Sequence, residues 1–131
     1  MRGMRTLAVL IAGFALLAGC GEDDETETPA GQPAFADLTV EVDRDGEGGE
    51  PPKSAVVRCD SADDAPCAGL TSESFAPTPR GTACTQQFGG SETATVTGTF
   101  DGERIDARFA RNNGCEIARW EEVSAVLDVA R

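Results

Sequence analysis

Histidine is absent from this 131-residue chain, and that one absence removes most of the familiar catalytic repertoire. Neither a Ser-His-Asp nor a Cys-His arrangement can be assembled. No Cys-x-x-Cys pair occurs, so a zinc site has neither of its usual ligand patterns. A glycine-rich phosphate loop is missing as well. The carboxylates Asp60, Asp63 and Asp64 read as a solvated acidic turn, not as an acid–base pair. The chain is therefore expected to be no enzyme and to need no metal or cofactor. Basic residues are scarce, 11 against 23 acidic ones, and such a surface repels nucleic acid and anionic lipid headgroups. Long apolar runs are scarce too. The one that exists, Leu7 to Leu17, falls short of the roughly 20 residues that cross a bilayer as a helix.

That run follows Arg2 and Arg5 and ends in Leu17-Ala18-Gly19-Cys20. A charged start, an apolar centre and small residues at the end form the pattern of a secretory signal. The final four residues resemble the bacterial lipobox, whose cysteine is acylated. Residues 1–20 are thus expected to be a lipoprotein signal peptide, with Cys20 as the lipid-modified (palmitate-bearing) residue. The mature protein would then be anchored on the extracellular face of the cell membrane. Two of the 11 basic residues and none of the 23 acidic ones lie in this signal. The remainder carries a formal charge of −14, most simply read as solubility. Residues 21–34, GEDDETETPAGQPA, hold five acidic residues and no large apolar one. They cannot bury enough surface to offset their ordering entropy and read as a disordered acidic linker.

Five cysteines make an odd set, which ordinarily flags a free thiol. Assigning Cys20 to lipid leaves Cys59, Cys67, Cys84 and Cys115, an even number in an oxidising compartment. Two disulfides would suit a domain of about 100 residues, whose core alone is marginal.

The folded domain is expected over 35–131. Leu38, Val40 and Val42 alternate with polar residues at the period of a half-buried strand. Asp45 to Pro52 reads as a turn; it fails the calcium-loop pattern because Gly46 stands where a ligand belongs. Ser54 to Arg58 forms a second strand running into Cys59, and Ala65 to Leu70 reads as a short helix. The strongest signal is a hairpin of Glu92–Phe100 and Glu103–Ala110 about Asp101-Gly102, a dipeptide favoured in type I′ turns. Closing it there pairs Thr99 with Arg104, Thr97 with Asp106 and Thr95 with Arg108. Ala94, Val96, Gly98, Phe100, Ile105, Ala107 and Phe109 then share the other face. Ile117, Trp120, Val123 and Leu127 recur at helical spacing and predict a C-terminal helix, with Val126–Val129 as an alternative last strand. The fold class is α+β, an antiparallel sheet with helix on one face.

Residues Cys84 to Ala118 resemble the subtilisin-inhibitor-like family of secreted actinobacterial protease inhibitors. The resemblance is carried by Ala94-Thr95-Val96-Thr97-Gly98-Thr99-Phe100-Asp101-Gly102 with Arg104-Ile105, and by Asn113-Gly114-Cys115-Glu116. Leu38-Thr39-Val40 and Val56-Val57-Arg58-Cys59 are similar to the family's first strands. The resemblance implies about five antiparallel strands with two short helices on one face, and disulfides Cys59–Cys67 and Cys84–Cys115. It also implies a reactive bond at Gln86–Gln87, flanked by contacts from Cys84, Thr85, Phe88 and Gly89. Asn113 would support the loop from below, although turn chemistry in Asn112-Asn113-Gly114 explains it equally well. The chain departs from the family at four places, the first being a stretch between Cys59 and Cys67 that is much shorter than usual. Gln86 replaces Met, Lys or Arg, Thr85 replaces a common proline, and Gly89-Gly90 replaces a stiffer segment.

Two functions follow from these readings. One is a membrane-tethered inhibitor of a secreted, subtilisin-like serine protease. The other is a non-inhibitory surface lipoprotein that uses the same fold as a binding or structural module. A homodimer through the sheet is a further expected partner.

Overall fold

The computed structural model describes residues 33–46 and 49–131. The signal peptide, Cys20 and all but the last two residues of the linker lie outside the described residues. Four strands make one antiparallel sheet: β1 (Ala36–Asp43), β2 (Lys53–Cys59), β3 (Thr93–Phe100) and β4 (Glu103–Ala110), in the order β2-β1-β3-β4. Two helices, α1 (Gly114–Glu122) and α2 (Ser124–Leu127), follow the last strand, and a 3-10 turn spans Ser72–Phe75.

The β3–β4 hairpin has the register expected from its sequence. Thr99 faces Arg104, Thr97 faces Asp106 and Thr95 faces Arg108. Asp101 and Gly102 take φ of 48° and 75°, the two positive values that a type I′ turn demands. β1 lies between the hairpin and β2, pairing Val40 with both Val96 and Ala55. One face of the sheet therefore gathers Ala36, Leu38, Val40, Val42, Val57, Ala94, Val96, Phe100, Ile105, Ala107 and Phe109. Trp120, Val123, Val126 and Leu127 from the two helices join them in a single core. The C-terminal segment is helical, and the strand alternative for Val126–Val129 is not adopted: all of Val123, Val126 and Leu127 are fully buried, which strand alternation of 126 and 127 would forbid.

Two expectations are corrected. The sheet has four strands among the described residues, not about five. Ala76 to Ser91, the only long stretch left between strands, has no regular structure and is held by contacts other than a ladder. Ala65–Leu70 forms turns in place of a helix. Cys67 N donates to Asp64 O at 2.8 Å and Leu70 N to Cys67 O at 3.1 Å, isolated three-residue closures interrupted by Gly69 at φ 80°. The disulfides join Cys59 to Cys67 and Cys84 to Cys115. The first links the end of β2 to these turns, and both of its cysteines are buried.

Gly98 marks the tightest point of the sheet. Its φ is 136°, and a Cβ placed there would overlap the carbonyl oxygen of Asp37 on β1. Backbone cannot yield as a side-chain tip can. Gly98→Ala is accordingly expected to destabilise the fold by more than about 2 kcal/mol, measured as a lowered urea midpoint. A change below about 0.5 kcal/mol, the scale of an ordinary surface substitution, would show that β1 and β3 do not approach so closely.

Candidate functional site

The long irregular segment Ala76–Glu92 is fastened along its length by residues that follow β4. Its entry is held first. Arg119 Nε donates to Ala76 O at 2.9 Å, and Thr78 Oγ1 donates to Glu116 Oε1 at 2.9 Å. A turn closes next, with Thr82 N and Oγ1 both donating to Pro79 O. Cys84 is then bonded to Cys115, and Gly114 N donates to Thr85 O at 2.9 Å. Gly89 N donates to Arg111 O at 2.7 Å, and its backbone lies so close to Ile117 that a Cβ would crowd that side chain.

Between those last two clamps stand Gln86, Gln87 and Phe88. All three are exposed, and among the described residues no hydrogen bond engages them. The expected site residues Cys84, Thr85, Gln86, Gln87, Phe88 and Gly89 thus occupy one protruding loop: fixed at Cys84–Thr85, fixed again at Gly89, and open between.

Asn113 precedes the residue that holds Thr85 but has a different partner. It is the N-cap of α1, its Oδ1 accepting the Glu116 N–H at 3.0 Å, and such a cap satisfies one of the helix's orphan donors. Among the described residues its side chain makes no hydrogen bond to the loop. The loop is held instead by backbone groups of Arg111 and Gly114, which residue types do not reveal. The Asn-x-x-Glu spacing from Asn113 to Glu116 was the available signal for a helix start here. Glu116 does not complete a capping box; its carboxylate goes to Thr78 and, at 2.6 Å, to Arg119 NH1.

An ion cluster closes the far end. Glu92 accepts from Arg111 NH1 at 3.0 Å and from Arg131 NH2 at 2.9 Å, while both guanidinium groups lie near the Trp120 ring, 5.8 and 6.0 Å from its centroid. Burial raises the Glu92 carboxyl, but its hydrogen bonds and charge interactions with Arg131 and Arg111 outweigh burial and bring it below the ordinary value. Arg111 thus serves twice, its guanidinium pairing with Glu92 and its carbonyl holding Gly89. Comparison with protein-family models, curated proteins and solved structures finds no match to this chain.

The lowered Glu92 pKa fixes a sign. A carboxylate whose folded pKa lies below its unfolded value stabilises the fold above the unfolded pKa and loses that contribution as pH falls through the folded one. Stability is expected to decline from about pH 4.5 downward. Glu92→Gln should lower the melting temperature near neutral pH and narrow the gap to wild type in acid. An equal gap at pH 7 and pH 3 would show that the Glu92 charge contributes nothing.

Proposed function

We propose that this chain is a membrane-tethered inhibitor of a secreted subtilisin-like serine protease, acting through the Gln86–Gln87 bond. The observation that carries this reading is the clamped loop. Gly89 N–H is hydrogen-bonded to Arg111 O in the β4–α1 connection, Thr85 O to Gly114 N at the start of α1, Cys84 is bonded covalently to Cys115 beside it, and the three residues between are exposed. The resemblance to the subtilisin-inhibitor-like family supports the same loop.

The chemistry follows from the clamps. A protease serine that attacks the Gln86 carbonyl carbon breaks the bond to the Gln87 nitrogen and forms an acyl-enzyme. In an ordinary substrate the amine fragment then diffuses away. Here it is retained, because Gly89 stays bonded to Arg111 and the acyl fragment stays joined to the same scaffold through Cys84–Cys115. The amine can therefore attack the acyl-enzyme and restore the peptide bond. Preorganisation also lowers the ordering cost of binding, which raises affinity without any added contact. The non-inhibitory module remains the second reading, favoured by the uncharged polar character of Gln86 and Gln87.

Prolonged incubation of the purified full chain with a sensitive protease should give one slow cut, between Gln86 and Gln87, with the fragments still joined through Cys84–Cys115. Gln86→Lys should create inhibition of trypsin-like enzymes, since a desolvated charge pair across an interface couples by about 1.5–7 kcal/mol. Melting temperature should stay nearly constant, as the side chain packs against nothing. Rapid degradation of Gln86→Lys by trypsin, at the rate of an unstructured peptide, would make the loop a substrate and favour the module.

The tether belongs to the same proposal. Residues 1–20 direct export and Cys20 carries the lipid, acyl chains supplying about 0.8 kcal/mol per buried methylene. Cys20→Ser should move the protein out of the membrane fraction or stall its processing. A mature-size variant that still sediments with membranes would end the anchor reading.

A further inference from the structure

Five aromatic side chains besides Phe88 lie among the described residues, and the fold uses them all. Phe75, Phe100, Phe109 and Trp120 are buried, and Phe35 stacks edge-on against Phe100 with centroids 5.0 Å apart. Phe88 alone is left in water, with 71% of its surface exposed. It stands in the loop clamped at Cys84–Thr85 and at Gly89, next to the residue whose N–H is bonded to Arg111 O. Its backbone is therefore held by a neighbour while its ring takes no part in the core.

The loop around it narrows the explanation. From Ala83 to Gly90 the sequence is ACTQQFGG, with no charged residue in a chain that is otherwise strongly acidic. Within this stretch Phe88 is the only large apolar side chain. Gln86 and Gln87 must give up hydrogen bonds to water for any they gain from a partner, so their net return on binding is small. A ring leaving water has no such exchange to make, and aromatic residues at the centre of an interface carry a disproportionate share of its affinity.

We infer that Phe88, two residues beyond the bond at Gln86–Gln87 on the leaving-group side, is the principal side-chain anchor for the protease. The inference rests on the inhibitor reading and sharpens it. The partner has an apolar hollow at the second position past the scissile bond, and its primary pocket accepts an uncharged amide without requiring a cation or a large apolar group. Selectivity among subtilisin-like proteases then follows the depth of the leaving-side hollow. Phe88 also serves retention: a ring seated in that hollow adds a further hold on the amine fragment during the interval in which the bond is broken.

The test measures binding of the full chain to a panel of subtilisin-like serine proteases whose catalytic serine is replaced by alanine. Wild type, Phe88→Ala, Phe88→Leu and Gln86→Ala are compared, with thermal melts to establish that each variant folds. Phe88→Ala is expected to weaken binding by at least about 30-fold, the scale of an interface hot spot. Phe88→Leu should recover most of the loss, and Gln86→Ala should cost less than Phe88→Ala. Binding by wild type that Phe88→Ala leaves within about threefold overturns this inference and leaves the inhibitor reading standing. Failure of wild type to bind any protease of the panel overturns the inhibitor reading, and the inference with it.

Discussion

Nine residues, Arg111 to Arg119, made of the β4–α1 connection and the first turns of α1, hold the Ala76–Glu92 segment in place. β4 ends at Ala110, Asn113 caps the helix that begins at Gly114, and within nine residues the chain presents a carbonyl, an amide, a cysteine sulfur, an aliphatic side chain and two charged ones to the same neighbouring segment. The Ala76–Glu92 segment has no ladder or helix of its own. It is ordered only because each of its polar backbone groups at the clamp positions meets a partner on that connection. Position thus passes from the hairpin register to the cap, from the cap to the connection, and from the connection to the loop.

This order of dependence explains where the covalent bond belongs. Fixing the backbone of one residue costs about 1–2 kcal/mol, and a loop of this length could not be held by two hydrogen bonds of about 1 kcal/mol each. Cys84–Cys115 closes 31 residues, and on the chain-entropy model such a closure contributes about 3–4 kcal/mol by restricting the unfolded chain. The hydrogen bonds at Thr85 and Gly89 then select one conformation from those the bond permits. The Glu92 cluster acts at the other end, where Arg111 is held by a carboxylate while its carbonyl faces the loop.

The hairpin was legible in the sequence because several signals agree there. Asp101-Gly102 fixes the turn, and that register puts Ala94, Val96, Phe100, Ile105, Ala107 and Phe109 on one side. The helical spacing of Trp120, Val123 and Leu127 was legible for the same reason. Less visible were the features that depend on backbone atoms or on distant partners. Arg111 and Gly114 contribute a carbonyl and an amide, groups that every residue but proline possesses, so no residue type marks them. Asn113 fits loop support and turn chemistry equally well by residue type, whereas its side chain serves the helix and its successor's amide serves the loop. The expected helix at Ala65–Leu70 fails because apolar content alone does not supply consecutive i to i−4 bonds across Pro66 and Gly69.

Gly89-Gly90 illustrates how rigidity is a property of contacts and not of composition. Two glycines predict a loose segment, since glycine has the most conformational freedom to lose. Gly89 is nevertheless held by the Arg111 carbonyl and pressed against Ile117, an approach that a larger residue would obstruct. The small side chain is what lets the backbone reach its clamp, and the looseness it brings to the unfolded chain is offset in the folded one. The three residues upstream bear the opposite relation to the scaffold. Gln86, Gln87 and Phe88 support no packing, so substitutions there carry little stability cost, typically within about 0.5 kcal/mol. A frame that fixes the backbone while leaving its side chains exposed permits those side chains to change without refolding the domain. On the inhibitor reading proposed above, that division leaves selectivity among proteases to three exposed side chains.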